Sequence, residues 1–441
     1  MPNSFSFNKY SLVRPEKSPI FYGYIITIIG TVGVIASIPG QTIGVSAFTN
    51  PVMKALGLNR DQFSIAYTIG TIISSFFLTQ AGRWYDRFGA RWVALFSTIG
   101  LATALVLCSG SVTMSGYIQN LLNTSSSLVP ILLMIVLFAF VRFSGQGVLT
   151  LVSRNMIMKW FDALRGRVNA ISSVVVSVGF SASPLLINIF IEDHGWKNTW
   201  LIMAFILIGF SLIVLQFYRD KPEDHGLLPD GKKIIKKESK NKDAREARQQ
   251  YTLTEAKRTR AFWMYSLMLA FNGYYITGLT FHIESVFVES GFDKATAFSI
   301  FLPVSGVSFL FSFGGNAISD YTKLKYLLYV MIGGGVIGTL GLIFLGGAFG
   351  VYVLVAGLGI TSGMFAVLIA VAWPRFFGRK HLGEVAGKTM SMIVLASALG
   401  PSMFSYSLSL FGSYKVVAFA SLAFLIVLVF LSLKANNPQV D

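Results

Sequence analysis

Gly82-Arg83-Trp84-Tyr85-Asp86-Arg87-Phe88-Gly89-Ala90-Arg91 is a ten-residue polar interval, and apolar sequence closes on it from both sides, at 62 to 81 and at 92 to 110. A helix rises ~1.5 Å per residue and the hydrocarbon layer is ~30 Å thick, so about 20 mostly apolar residues make one crossing. Each flank is then one crossing, and the interval is a turn in water. The same reading finds spans at 20 to 47, 129 to 152, 168 to 191, 198 to 218, 262 to 288, 296 to 318, 325 to 346, 349 to 373, 385 to 410 and 413 to 434, twelve in all. Backbone groups find no water in lipid, and the alternating dyads of a barrel are absent, so the spans are helices. The expected fold is an all-α integral membrane protein with twelve transmembrane helices in two six-helix pseudo-repeats.

Composition agrees. Apolar residues make up 54% and charged residues 13%, too few charges for a water-exposed surface, where roughly 25% is usual. The first span is too long for a signal h-region and no small-residue cleavage site follows it, so it is expected to remain as helix 1. The single Cys108 rules out an intrachain disulfide framework and a cysteine-based metal site.

A net charge of +16 raises the question of a nucleic-acid partner, and the placement of the charges answers it in the negative. Of 36 Lys and Arg, 29 fall in segments on one side, that of the N-terminus, whereas Lys54, Arg60, Lys197, Lys294 and Lys415 lie in the opposite loops. This asymmetry predicts a multi-pass protein of the cell (inner) membrane, with N- and C-termini cytoplasmic. The bilayer is the expected surrounding, and anionic lipid the expected attractor of the basic loops.

The chain divides into a half at 1–218, a basic cytoplasmic linker at 219–260 and a half at 261–441. The linker ends in Thr252-Leu253-Thr254-Glu255, a capping box that predicts a short amphipathic helix before span 7. The halves echo one another. Phe63-Ser64-Ile65 and Phe298-Ser299-Ile300 open spans 2 and 8, and Gly166 to Pro184 equals Gly383 to Pro401 in length. Parallel six-span repeats around a central site suit a carrier that rocks one half against the other.

The opening interval, Gly82, three residues, Asp86, Arg87, one residue, Gly89, one residue, Arg91, resembles the loop signature of the major facilitator superfamily. The second-half counterpart, Gly315 to Lys323 with Asp320, is degenerate. Phe21-Tyr22-Gly23-Tyr24, Lys159-Trp160-Phe161 with Arg165-Gly166, Asp220-Lys221-Pro222-Glu223-Asp224, Thr259-Arg260-Ala261-Phe262-Trp263 and Phe377-Gly378-Arg379-Lys380-His381-Leu382-Gly383 are similar to the bacterial branch of monocarboxylate transporters and oxalate/formate antiporters. The resemblance implies secondary transport of a small organic anion, a monocarboxylate, by alternating access, as a symporter with a proton or as an antiporter against a counter-solute. It also implies a gating loop of Gly82, Asp86, Arg87, Gly89, Arg91 and Asp320 that holds the outward-open state. Span 8 lacks the basic residues this branch carries, so a drug-like or neutral solute is the alternative. A non-transporting receptor or scaffold with the same fold is the alternative of another class.

A charge at mid-bilayer costs ~2.5–3.5 kcal/mol on insertion scales, so Arg142, deep in span 4, is the first binding candidate. Helical spacing sets Gln146, Thr150 and Ser153 on its face, and Arg142 with Gln146 and Gly147 resembles the family's span 4 signature. A planar guanidinium holds a carboxylate through two hydrogen bonds. The bland alternative is an arginine satisfied by helix 1 merely to organise its half. Pro39-Gly40 breaks span 1 at depth, which makes Gln41 and Thr42 candidates for lining a site. In span 7, Asn272, Tyr275 and His282 share a face. His282, Glu284 and Arg142 are the proton-coupling candidates, with a solvated mouth residue the plain reading of Glu284. Arg154 and Lys159 are expected to snorkel, and Gly334 with Gly338 to mark close helix packing. Gly383 to Thr389 is one residue short of a phosphate loop and follows no strand. No cofactor, no metal and no enzymatic activity are expected.

Overall fold

The structure, a computed structural model, describes residues 14–231 and 249–439; the linker stretch 232–248 lies outside them. Among the described residues nine helices are long and apolar enough to cross a membrane, and two of these turn back on themselves. In Arg60–Ser109 only Gly89 leaves helical geometry, at φ 78°, ψ 171°. Leu78 packs against the site of Gly147, while Ser97 donates to Ser144 O at 2.6 Å. Positions on either side of Gly89 thus reach the same level of one neighbouring helix, so the chain reverses there. We label the arms α2 (60–88) and α3 (90–109).

Arg165–Phe217 reverses in the same way at Gly195, φ 76°, since Arg165 pairs with Asp162 at one end and Arg219 O, just past the other, accepts from Trp160 Nε1. Its arms are α5 (165–194) and α6 (196–217). Positive φ combined with ψ of 171° at Gly89 and 157° at Gly195 is a conformation open to glycine and strained for any residue with a Cβ, so these two residues carry the turns.

The other seven of the nine are α1 (Tyr22–Ala36), α4 (Leu128–Trp160), α8 (Phe301–Ser319), α9 (Leu324–Ile343), α10 (Ala348–Phe377), α11 (Leu382–Phe411) and α12 (Lys415–Ser432). A further 30-residue helix outside the nine, α7 (Arg260–Glu289), is long enough to cross but less apolar. The nine, with two counted as pairs of arms, give eleven segments, and α7 completes the expected twelve. The Gly334–Gly338 pair packs closely as expected, because a Cβ at Gly338 would sit 3.3 Å from Gly357 and one at Gly334 2.6 Å from Ile360.

Several local expectations change. Residues beyond α3 form a further helix, Ser111–Leu121, where a loop was expected. The capping box of Thr252 and Glu255 is present, but the helix it starts, Leu253–Ala256, is a single turn. Residues 219–231 fold back on the helix ends: Asp230 accepts from the N–H groups of Asp162, Ala163 and Leu164. Lys159 is buried and does not snorkel; its Nζ lies 3.0 Å from Asp220 and 4.2 Å from the Tyr85 ring centre. Gly82 stays helical, so its missing side chain serves a close approach and not the turn.

The turns at Gly89 and Asp320, the loops at 161–164 and 378–381, and residues 219–231 gather at one end of the molecule, called the basic end below. The hydrogen bonds and ion pairs that join the halves cluster there.

Candidate functional site

Pro39 ends α1 because it cannot continue the ladder, and a 3-10 turn, Ile38–Gly40, follows before a short helix from Thr42. Facing this break, α4 widens into a π-helical segment, Phe143–Leu149. The two irregular backbones touch: a Cβ on Gly40 would stand 2.6 Å from Gly145 Cα and 2.8 Å from Val141 O. π-segments recur at functional sites because they redirect side chains within a helix.

Arg142 enters this contact just before the π-segment, with only 2% of its surface exposed. Its Nη1 donates to Gly40 O at 3.1 Å and to Thr42 Oγ1 at 3.2 Å, and its guanidinium carbon lies 5.3 Å from the Tyr67 ring centre. Tyr67 in turn donates to Thr42 Oγ1 at 3.0 Å. No carboxylate pairs with this cation among the described residues. Buried Arg142 Nε and Gln146 Oε1 both lack a hydrogen-bond partner, and a buried polar atom left unpaired costs ~1–3 kcal/mol. Gln41 is turned away, donating to Ser37 Oγ at 3.0 Å and Thr150 Oγ1 at 3.1 Å.

The candidates therefore separate. Thr42 and Arg142 come together with Tyr67, which sequence reading missed, although Tyr67, Thr71 and Ser74 form a polar stripe at helical spacing. Gln146 lies one turn further along α4, within the π-segment. Gln41, Thr150 and Ser153 tie α1, α4 and the end of α6 to one another, Ser153 lying 2.8 Å from Tyr218 Oη. In the other half, Asn272 is buried with an unpartnered Oδ1. Tyr275 is spent on packing, stacked on Phe271 and donating to Gly338 O at 3.3 Å. His282 lies towards the opposite end of α7, its Nε2 2.9 Å from Pro401 O and its Nδ1 3.4 Å from Tyr414 Oη. Glu284 is exposed beside it.

At the basic end the two halves lock by backbone contact. Asp86 accepts from the N–H of Gly383 on Oδ1 and of Glu384 on Oδ2, both at 2.8 Å, so it caps the first turn of α11 across the interface. Its pseudo-symmetric counterpart Asp320 accepts from Gly166 N at 3.0 Å at the start of α5. Asn169 Nδ2 bridges to Asn316 Oδ1 at 2.9 Å and Ala366 O at 3.0 Å. Asn316 stands four residues before Asp320, as Gly82 stands before Asp86. Arg83 reaches Glu384 at 3.3 Å, and Arg379 donates to Lys159 O at 2.7 Å. Arg87 and Arg91 stay within their own half, one over Phe88 and the other donating to Tyr218 O.

Burial pushes the Asp86 carboxyl up to about 7, against the pull of Lys159 and of the two N–H groups, with Asp220 adding to the rise. Were the halves to part, water would return and the pKa would fall toward the ordinary value of roughly 3.9. A proton is thus held more tightly in the joined state. Joining is favoured as pH falls through about 7 and loses that support as pH rises. Spin labels on Arg87→Cys and Lys380→Cys should report a growing joined population between about pH 8 and pH 6, and Asp86→Asn should flatten the response. A pH response that survives Asp86→Asn would assign the titration elsewhere.

A family model, the Major Facilitator Superfamily, matches residues 20–401. The probable sulfoacetate transporter SauU of Cupriavidus necator is 21% identical over 393 residues, 85% of each chain. The E. coli fucose:proton symporter FucP superposes with a TM-score of 0.62 at 13% identity, covering 94% of this chain and 99% of that one. The human organic anion transporter MFSD10 superposes with a TM-score of 0.58 at 14% identity, covering 94% and 100%. At these identities the structural likeness shows the fold alone.

Proposed function

The chain belongs to the Major Facilitator Superfamily, and on that premise we propose that this multi-pass secondary transporter carries a small organic anion, a monocarboxylate, by alternating access. The observation that supports this reading is Arg142: a buried cation with no carboxylate partner among the described residues, its Nη1 fixed on the α1 break and its Nε left unpaired. A planar fork in a low-dielectric site favours a carboxylate or sulfonate over a neutral solute. The relative named as a sulfoacetate transporter carries both groups on its substrate, which supports the same chemistry here.

The basic end faces the cytoplasm in this reading, by the excess of Lys and Arg there, with both termini on that side of the cell membrane. The structure then corresponds to the outward-facing state, with Thr42, Tyr67, Arg142, Gln146 and Asn272 as the groups that meet substrate. Asp86 and Asp320 act as the latch, with Gly82 and Gly89 giving it its close approach and its turn. The anion's charge is balanced by an entering proton, with His282 and Glu284 as the coupling candidates, or by a departing anion.

In proteoliposomes, excess lactate, pyruvate, formate or sulfoacetate should compete with uptake of a labelled monocarboxylate, whereas xylose and fucose should leave it unchanged. Competition by the sugars and indifference to the acids would overturn the anion reading. Uptake driven by an imposed pH gradient into anion-free vesicles supports proton coupling. A strict need for preloaded anion supports exchange.

A further inference from the structure

An apolar groove of about 720 Å³ lies between the outer faces of α3 and α4, below the 2–3 turn. Its walls are Trp84 and Phe88 at the 2–3 turn, Phe96 on α3, and Phe140 and Phe143 on α4, while Gly100 opens its floor. Trp84 closes one corner edge-on to Phe143 at 6.4 Å between ring centres. In the floor Ser97 spends its hydroxyl on Ser144 O, so the lining is mostly hydrocarbon, with the Ser144 hydroxyl beside Gly100. A side chain at Gly100 would begin filling it, its Cβ 3.2 Å from Ser144 Oγ and 3.6 Å from the Phe140 ring.

Depth and charge select the occupant. From Trp92 at the basic end to Gly100 the groove descends eight residues of helix, ~12 Å, close to the ~15 Å depth of one leaflet. At its mouth Arg87 is exposed, stands 5.2 Å over the Phe88 ring, and has no carboxylate partner among the described residues. Arg83 stands one turn away with 56% of its side chain exposed. A narrow hydrocarbon slot of leaflet depth beneath arginines matches one acyl chain with an anionic phosphate above it.

We propose that this groove is a binding site for an anionic diacyl phospholipid of the leaflet that meets the basic end, with Arg87 on the headgroup phosphate and one acyl chain against Phe96, Phe140 and Phe143. The chain packs on the outer side of the π-segment adjoining Arg142, so occupancy braces the segment that positions the anion site. The proposal needs the membrane setting only, and stands or falls apart from the identity of the transported solute.

The test counts lipids that stay bound to the full chain by native mass spectrometry, after extraction from nanodiscs of equimolar phosphatidylglycerol and phosphatidylethanolamine. Wild type should retain one phosphatidylglycerol that Gly100→Leu loses, and Arg87→Gln should lower the preference for it by about 5-fold, the effect of one basic residue near an anionic surface. Should Gly100→Leu fail to fold, wild type reconstituted with chain-brominated phosphatidylglycerol should show stronger tryptophan quenching than with the brominated ethanolamine lipid, and Trp84→Phe with Trp92→Phe should remove the difference. Equal retention of the two lipids, unchanged retention in a folded Gly100→Leu, displacement by inorganic phosphate alone, or a cross-link showing a second copy seated on Phe96 would each overturn the proposal.

Discussion

Arg142→Ala should reduce saturable anion uptake by at least 30-fold while the protein still folds. Truncating one partner of a buried, hydrogen-bonded charge pair costs ~2–5 kcal/mol, roughly 30-fold to several thousand-fold in binding. The structural alternative is an arginine that only staples the α1 break through Gly40 O and Thr42. The two roles diverge in a thermal-shift experiment. If Arg142 binds the anion, wild type is stabilised by millimolar monocarboxylate and Arg142→Ala is not, whatever its own melting temperature. If it only staples the break, the variant melts lower and is still stabilised by the anion. Arg142→Lys separates charge from shape. A lysine keeps the cation but not the planar fork, so it cannot hold Gly40 O and a carboxylate in one plane, and transport should recover only in part. Uptake by Arg142→Ala at the wild-type rate would remove the arginine from the site.

Arg142 was legible because a cation in an apolar span is costly wherever the helix packs, and the break at Pro39 because proline acts through local backbone chemistry. Twelve crossings followed from length and hydropathy, and the turn at Gly89 from a polar interval between two of them. Other features have no residue-type signature. Asp86 finds its partners in the backbone N–H groups of Gly383 and Glu384, which matching opposite charges along a sequence cannot reveal. That is why the resemblance groups Asp86 with Arg87 and Arg91 in one gating loop, whereas the structure gives Asp86 a helix cap across the interface and keeps the two arginines within their own half. The π-segment at Phe143–Leu149 depends on Gly145 meeting Gly40, a contact 105 positions apart in the chain. Lys159 looked like a snorkelling residue because its partner, Asp220, returns only after two further crossings. Tyr275 lay on the chosen face of α7, but a helix surrounded by neighbours has several polar faces, and this one turns toward α9.

Gly383→Val should hold the basic end open and reduce transport by more than 10-fold without unfolding either half. A Cβ at Gly383 would lie 2.3 Å from Gly82 O, 2.6 Å from Tyr85 Cδ1 and 2.8 Å from Asp86 Oδ1. Two of these atoms belong to α2's backbone and to the capping carboxylate, so no flexible tip can swing aside. Overpacking of this kind costs ~1–3 kcal/mol where the surroundings must yield. The cost falls only on the state in which α2 and α11 touch, because the contact is between halves and each half keeps its own core. A differential of ~1–3 kcal/mol moves a two-state equilibrium by roughly 5- to 150-fold, and the cap on the start of α11 is lost in the same step. Labels on Arg87→Cys and Lys380→Cys should therefore shift from the short to the long distance. Gly357→Val is the control. Its Cβ would meet Gly338 N at 2.0 Å inside one half, so it should lower the melting temperature without selectively opening the basic end. A Gly383→Val protein that keeps the short label distance and transports normally would show that the glycine contact is not what joins the halves. One that unfolds as Gly357→Val does would place α11 within a continuous core instead of at a parting surface.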